Sequence, residues 1–233
     1  MKERPILFRG EMVRAILEGR KTQTRRIVTA HHIHGGTRKP TTDDLAAVGD
    51  FRPTRGGTPG AFLGAYPGVS IGEPRCPYGV HGDRLWVRES HWRFTGLAPA
   101  PSNFVAAPSG DPYQARCYDD HPELAGMNAG ATVLRVPSIH MPRWASRLTL
   151  ELTAVRVQRL HEISEEDAKA EGVDGYVVGE GTVRRGALIV EPGYWHPRFF
   201  RAGFEDLWSR VNAKRAPWES NPWLWVLTFR VAA

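Results

Sequence analysis

Lysine, threonine and arginine side chains are concentrated between residues 19 and 26, where the chain reads GRKTQTRR. A threonine hydroxyl is a nucleophile only when a base takes its proton. A lysine is a base near neutral pH only when its pKa falls well below about 10.4. The segment is therefore either a reactive hydroxyl and amine in a special environment or a basic edge in water. Residue types alone leave both interpretations open.

The spacing of Lys21 and Thr24 limits how their side chains meet. Residues three apart on a flat strand point to opposite faces, so the pair cooperates only across a turn, a helix end or a bulge. Gly19, placed where a short helix should end, permits such a geometry. Three arginines of the same segment supply like charge, and like charge together with partial burial lowers the pKa of a lysine.

Several patterned stretches must position this segment. Apolar residues at helical spacing between residues 12 and 17 predict a helix that ends before Gly19. An N-cap serine, an acidic first turn and a closing glycine predict a short helix over Ser164–Gly172. A further helix is predicted from Phe199 to Val211, and strands are predicted at residues 82–89, 147–160 and 223–231. Strands and helices in mixed order favour an α+β fold around a small, closed or nearly closed sheet.

Glycine, proline and threonine dominate the remaining stretches. Residues 29–77 are interpreted as a long, partly mobile loop or insertion, and residues 97–128 as a second insertion. Tryptophan occurs eight times, and four of these residues follow residue 200. They indicate either an aromatic core near the C-terminus or a stacking platform for bases.

Composition excludes several classes of protein. The chain has 233 residues and a formal charge of +6, which suits an anionic partner only weakly. No run approaches the roughly 18 apolar residues of a membrane span and no signal peptide is evident, so a cytoplasmic protein is expected. Cys76 and Cys117 favour reduced thiols, and His31-His32-x-His34 lacks acidic or cysteine partners, so neither metal nor cofactor is expected. Phosphate-binding glycine loops and the Gly-x-Ser-x-Gly motif are absent.

The segment Gly19–Arg26 resembles the G-x-K-x-x-x-x-R signature of ASCH domains, which are small β-barrels similar to PUA domains. The fuller string G-R-K-T-x-T-x-R resembles bacterial ASCH-type N4-acetylcytidine amidohydrolases. The order of helix, basic motif, strands, short acidic helix and final apolar strand agrees with that family. The resemblance covers about half of the chain, which is also similar to longer phage and prophage ASCH-like proteins. It implies one ASCH-like domain over residues 1–233, with insertions at about 29–77, 97–142 and 173–197.

The resemblance implies an amidohydrolase that removes the acyl group from N4-acylated cytosine nucleosides or bases without a metal. Its catalytic set maps onto Thr24 as nucleophile, Lys21 as base and Glu171 as acid or orienting group. Because a carboxylate beside Lys21 would raise the lysine pKa, Glu171 is expected on the opposite side of the substrate, or coupled to the others as one titrating unit. Arg26 either holds the acyl oxygen as it gains charge or anchors the motif.

Three further residues are candidates for substrate binding. Glu89 is a rival carboxylate on a predicted strand. Trp92 and Trp144 are candidates to sandwich a pyrimidine, although packing is the more common role of a tryptophan and is favoured for each. Two other functions stay open. One is a non-catalytic module that binds RNA or a nucleotide, with the basic motif on phosphate. The other is an accessory protein whose insertions bind a protein partner.

Overall fold

The computed structural model describes residues 1–34, 50–52, 61–63, 70–94, 105–106, 112–114, 133–173 and 200–232. The chain divides into two compact units. The first comprises Met1–Gly19, Tyr78–Ala154 and Phe229–Ala233, and the second comprises Arg20–Pro77 and Val155–Thr228. The single domain with three insertions stays a prediction, and most of the third insertion, residues 174–197, lies outside the described residues.

The strands, in chain order, are β1 (Glu3–Leu7), β2 (Gln23–Ile27), β3 (Ile33–His34), β4 (Asp50–Arg52), β5 (Ala61–Leu63), β6 (Ser70–Pro74), β7 (Arg84–Arg88), β8 (His91–Phe94), β9 (Val105–Ala106), β10 (Pro112–Gln114), β11 (Val133–Val136), β12 (Thr149–Arg159) and β13 (Trp223–Val231). The α-helices are α1 (Gly10–Leu17), α2 (Glu165–Ala170) and α3 (Phe200–Asn212).

The main sheet has five strands in the order β1-β7-β12-β13-β2. It is mixed, because β1 runs parallel to β7 while β12 is antiparallel to β7 and β13 is antiparallel to β2. The predicted α+β class and the predicted strands at β7, β12 and β13 are therefore confirmed. Within the part of the chain that the structure describes, β1 and β2 are the edges of this sheet, and a closed barrel is not confirmed.

Two smaller four-stranded sheets have the orders β3-β6-β5-β4 and β11-β8-β10-β9. Every pairing in them that the structure describes is antiparallel. The interpretation of residues 29–77 and 97–128 as loops is wrong where β3–β6 and β9–β10 lie. Because these strands are only two to five residues long, they are too short for alternation to stand out among glycine and proline.

The predicted helices are present with small differences. In α1 the buried residues are Val13, Ala15 and Ile16, whereas Leu17, expected on the apolar face, is 52% exposed. Gly19 follows with a φ of +73°, as a helix-ending glycine requires. Among the described residues, no helix has both the length and the apolar character needed to cross a membrane.

The turn before β7 is organised by Asp83. Its carboxylate accepts hydrogen bonds from the Lys2 backbone N–H at 2.7 Å and from Arg4 Nη1 at 2.8 Å. Two glycines of the turn have left-handed backbone, with φ of +117° at Gly79 and +83° at Gly82. Gly82 and Asp83 thus end a turn that leads directly into β7.

The second unit has its own apolar core beneath α2 and α3. Ile163 and Ala168 flank the start of α2, and they pack in one buried cluster with Phe204, Trp208 and Leu224. Trp225 of β13 is also fully buried. The tryptophans near the C-terminus thus build a core, as one of the two interpretations predicted. This core holds α2, which carries the acidic side chains of the candidate site.

Candidate active site

Lys21 and Glu171 form a buried ion pair in the second unit. Lys21 Nζ lies 2.7 Å from Glu171 Oε2, and the two side chains are only 2% and 5% exposed. The residues are 150 positions apart in the chain and are also joined by an antiparallel backbone bridge. The structure therefore brings together an amine and a carboxylate that the sequence shows only as distant residues.

Local structure explains why these two residues meet. Ser164 caps α2 by accepting a hydrogen bond from the Asp167 backbone N–H at 3.1 Å, and Glu171 is the C-cap residue that follows Ala170. The Thr22 backbone N–H donates to the Ala170 carbonyl at 2.9 Å, which ties the chain before β2 to the end of α2. The predicted helix over Ser164–Gly172 is confirmed, and its C-terminal end lies against the basic segment.

The Lys21 amine also lies beside the backbone of Thr24. Besides Glu171 Oε2, Nζ donates to the Glu171 carbonyl and to the Gln23 carbonyl, each at 2.8 Å. The Gln23 carbonyl belongs to the planar peptide group that joins Gln23 to Thr24. The amine therefore lies next to the peptide that carries the candidate nucleophile.

The Thr24 hydroxyl has a different partner. Arg26 Nη1 donates to Thr24 Oγ1 at 2.7 Å, and Thr24 is only 1% exposed. Side chains alternate across a strand, so Thr24 and Arg26 share one face of β2, while Gln23 and Arg25 share the other. The predicted roles of Thr24 and Arg26 stay predictions, but the structure gives their side chains a direct contact.

Arg25 is the residue of the motif whose connections the sequence did not show. Its Nη1 lies 3.1 Å from Glu171 Oε1 and its Nη2 lies 2.8 Å from Asp167 Oδ2, with the side chain 1% exposed. Gln23 joins the same network, because its amide accepts from Arg25 at 2.7 Å and donates to Asp167 at 3.2 Å. Asp167 lies on α2, and Glu171 follows four residues later as its C-cap with a right-handed helical backbone, so both carboxylates are on one face.

The environment of Lys21 shifts its acidity. Burial lowers the pKa of Lys21 most strongly, Glu171 acts in the opposite direction, and the charges of Arg26 and Arg25 lower it further. Burial alone would raise the pKa of Asp167, but hydrogen bonds and charges from Arg156 and Arg25 outweigh it and hold that pKa below its ordinary value. The lysine is thus poised closer to its neutral form than a lysine in water.

The expectation that Glu171 lies across the substrate from Lys21 is wrong in this structure, because the two groups touch. The alternative expectation, that they titrate as one unit, fits a pair at 2.7 Å. Three acceptors surround Nζ, which matches the three hydrogens of an ammonium group. Lys21 becomes a base only after one of these protons has moved.

The three other candidates, Glu89, Trp92 and Trp144, belong to the first unit. Glu89 is 1% exposed, and Arg147 donates to both of its carboxylate oxygens, at 2.7 and 3.0 Å. Trp92 is 4% exposed, so its ring is packed, whereas Trp144 is 37% exposed. A pyrimidine sandwich needs two open ring faces, and the burial of Trp92 argues against this prediction.

Comparison of the chain with protein-family models, curated proteins and solved structures found no match. Among the described residues, no three histidine, cysteine or acidic side chains are grouped as ligands for a metal ion. His32 is instead held by Trp225, whose Nε1 donates to His32 Nδ1 at 3.1 Å.

Proposed function

We propose that the protein is an amidohydrolase that removes the acyl group from N4-acylated cytosine nucleosides or bases. The observation that carries this proposal is the buried Lys21 amine, which lies between the Glu171 carboxylate and the peptide of Thr24. The resemblance of the GRKTQTRR segment to ASCH-type amidohydrolases supplies the substrate class. The finer assignment of the fold to a PUA-like ASCH barrel belongs to the same proposal.

The proposed reaction begins with a proton shift within the ion pair. A proton passes from Lys21 to Glu171, which leaves a neutral amine and a neutral carboxylic acid, the forms that burial favours. The amine then takes the proton of the Thr24 hydroxyl as its oxygen attacks the acyl carbon. The guanidinium of Arg26, which donates to Thr24 Oγ1 in the resting site, then turns to the acyl oxygen and stabilises the negative charge that develops on it.

The second half of the proposed reaction releases the base. The amide C–N bond breaks, and the leaving N4 amino group takes a proton from the Lys21–Glu171 pair. The acyl group remains on Thr24 as an ester until water, activated by the same pair, hydrolyses it. The intermediate formed by the water then expels the Thr24 oxygen, which takes a proton from the pair, so that the acyl group leaves as a carboxylic acid and the hydroxyl is restored.

A turnover assay tests this function. The purified protein is expected to release cytidine from N4-acetylcytidine in the presence of EDTA, measured by chromatography. Thr24→Ala, Lys21→Met and Glu171→Gln are each expected to lower kcat by at least about a hundredfold, the scale of a lost acid–base or nucleophilic group. Full activity in Thr24→Ala would show that the nucleophile is wrong.

Matched controls come from exposed neighbours of the same types. Thr22→Ala, Glu166→Gln and Lys214→Met change exposed side chains and are expected to keep wild-type turnover. Circular dichroism of every variant checks that the fold is intact. Loss of turnover in the controls as well would point to a general effect on folding.

A second candidate is a module that binds RNA or a nucleotide without turnover. The observation in its favour is that the Lys21 donors are directed at protein acceptors, so the resting amine has no lone pair for a base. This reading predicts no release of cytidine and an affinity for RNA that falls steeply with salt. A salt-independent affinity would remove phosphate contacts as its basis.

A further inference from the structure

Glu171 forms a second ion pair, with Arg25, in addition to its pair with Lys21. Glu171 uses its two oxygens separately, Oε2 for Lys21 at 2.7 Å and Oε1 for Arg25 at 3.1 Å. Arg25 in turn uses its second terminal nitrogen for Asp167 Oδ2 at 2.8 Å. Because each end of the guanidinium is bound to a different carboxylate, the plane of the Glu171 carboxylate is fixed relative to α2.

We propose that Arg25 and Asp167 are positioning residues for the Lys21–Glu171 pair. Arg25 holds one oxygen of Glu171 so that the other faces the Lys21 amine, and Asp167 holds Arg25 in that orientation. The inference rests on the proposed function in one respect, because that function gives the pair a reaction in which its orientation matters. The contacts themselves belong to the described structure.

Burial and charge both indicate that Lys21, Arg25, Asp167 and Glu171 act as one network. Lys21 and Arg25 are 2% and 1% exposed, and the carboxylates of Glu171 and Asp167 are 5% and 20% exposed. Two cations and two carboxylates balance within this network. Arg156, whose side chain is 44% exposed, contacts Asp167 at 2.6 Å and connects this network of four side chains to the solvent. Removal of one member therefore leaves a net charge close to the other three.

The groups that face the pair come from four elements and from the residue before Lys21. From β2 these are Arg25 and Arg26, and α2 supplies Asp167. From β12, Gln158 accepts from Arg25 at 3.3 Å and Arg156 reaches Asp167. From α3, the uncharged ring of Phe204 lies 5.7 Å from the Arg25 guanidinium carbon. Arg20, which precedes Lys21, donates to the Gly172 carbonyl at 3.2 Å.

The balance of charge predicts opposite effects for the two residues. Arg25→Met leaves excess negative charge beside Lys21, so the lysine should hold its proton to higher pH. Asp167→Asn leaves excess positive charge, so the lysine should release its proton at lower pH. A merely structural role for the two residues would not move the titration in opposite directions.

The experiment is an NMR titration of the lysine side-chain nitrogens in the full-length protein, combined with the pH dependence of kcat/KM for N4-acetylcytidine. Arg25→Met is expected to move the Lys21 titration and the acidic limb of the profile to higher pH, and to lower kcat about a hundredfold through loss of alignment. Asp167→Asn is expected to move both to lower pH. Shifts in the same direction, or no shift in either variant, would overturn the inference.

Two further comparisons keep the test decisive. Arg25→Lys keeps the charge but reaches only one carboxylate, so it should leave the Lys21 titration near its wild-type position while kcat falls. This variant also serves if Arg25→Met does not fold. Arg210 and Asp206 form an exposed ion pair at 2.9 Å, and Arg210→Met and Asp206→Asn should change neither readout. If wild-type protein shows no turnover, the proposed function fails, and the NMR titration alone still decides the role of Arg25 and Asp167.

Discussion

At the scale of single residues, the burial of the charged Lys21 and Glu171 side chains has an unfavourable free energy. Removing each ion from water costs several kcal/mol in real proteins, and a buried pair often stabilises the fold less than apolar residues of the same size would. Hydrogen bonds from Nζ to two backbone carbonyls offset part of this cost. The short contacts of the pair therefore do not show that it adds much to the stability of the fold.

The two members of the pair should differ in how much their loss destabilises the protein. Glu171→Leu is expected to lower the free energy of unfolding by about 3–5 kcal/mol, because it leaves a buried lysine without its carboxylate. Lys21→Met should lower it by less, because Glu171 keeps the contact with Arg25. Urea unfolding followed by tryptophan fluorescence measures both values.

The exposed Glu166, on the same helix, provides the control. Glu166→Leu should change the free energy of unfolding by no more than about 0.5 kcal/mol, as is usual for surface substitutions. A loss in Lys21→Met that equals or exceeds the loss in Glu171→Leu would contradict the assignment of Arg25 as the second partner of the carboxylate.

The sequence led to Lys21, Thr24 and Glu171 through a motif and a helix pattern, but their contacts could not be predicted in full. The sequence did contain an indication of the network of Arg25 with Asp167. Asp167 and the C-cap residue Glu171 are four residues apart, and Arg25 points to the opposite face of β2 from Thr24. That indication becomes specific only when β2 is known to lie beside α2. Pairing between distant segments depends on tertiary structure, which a local pattern does not contain.

At the scale of elements, the turn before β7 combines charge with backbone conformation. The Asp83 carboxylate fills the space beside Gly79, where an added Cβ would lie 2.8 Å from Arg4 Nη1 and 2.9 Å from Asp83 Cβ. At Gly82 an added Cβ would meet nothing within 4 Å. A substitution at Gly82 therefore tests backbone strain alone, whereas a substitution at Gly79 tests strain together with steric overlap.

Gly79→Ala is expected to destabilise the protein by about 2 kcal/mol or more, because unfavourable φ and steric overlap add. Gly82→Ala is expected to lower the free energy of unfolding by only about 1 kcal/mol, the strain of a left-handed backbone without steric overlap. The difference should appear as a lower midpoint of thermal unfolding for Gly79→Ala. Equal midpoints would mean that Arg4 and Asp83 move aside without penalty.

Elements with a clear local pattern were predictable, and the short strands among glycine and proline were not. Strands β12 and β13 have 11 and 9 residues, enough for alternation or an apolar run to show, and α2 has a complete set of end signals. The strands β3 to β6 have two to five residues and form a sheet mainly with one another. Such strands are defined by their partners, so composition alone predicts only a loop.

At the scale of the whole molecule, groups with lowered pKa values occur in both units. Burial is the main reason that the pKa values of His32 and His91 are lowered. The pKa of Asp83 is lowered chiefly by the hydrogen bond from the Lys2 backbone, and that of Asp167 is lowered by its arginine partners despite burial. The folded chain thus binds protons less tightly than the unfolded chain at all four residues.

These four groups should therefore cause two losses of stability on acidification. A group whose pKa is lowered by folding stabilises the protein above its ordinary pKa, and this contribution is lost as pH falls through the lowered value. The first loss should begin below 6.5, the ordinary histidine value, and the second below 3.8, the ordinary aspartate value. Guanidinium unfolding at closely spaced pH values measures both steps.

Single variants assign the two steps to residues. His91→Gln should flatten the first step in part, and Asp83→Asn should flatten part of the second. A free energy of unfolding that stays constant from neutral pH to below the aspartate range would contradict the directions given for all four groups.

The pairing of β2 with β13 also sets an order of events during translation. The ribosome makes the GRKTQTRR segment early, but the strand that pairs with β2 is complete only when residue 228 has emerged. Until then the nascent chain carries a basic stretch and an unpaired strand that neighbouring chains or chaperones can bind. Synthesis that stops before residue 223 would leave β2 without β13, so prematurely terminated chains should be unable to complete this sheet and prone to degradation.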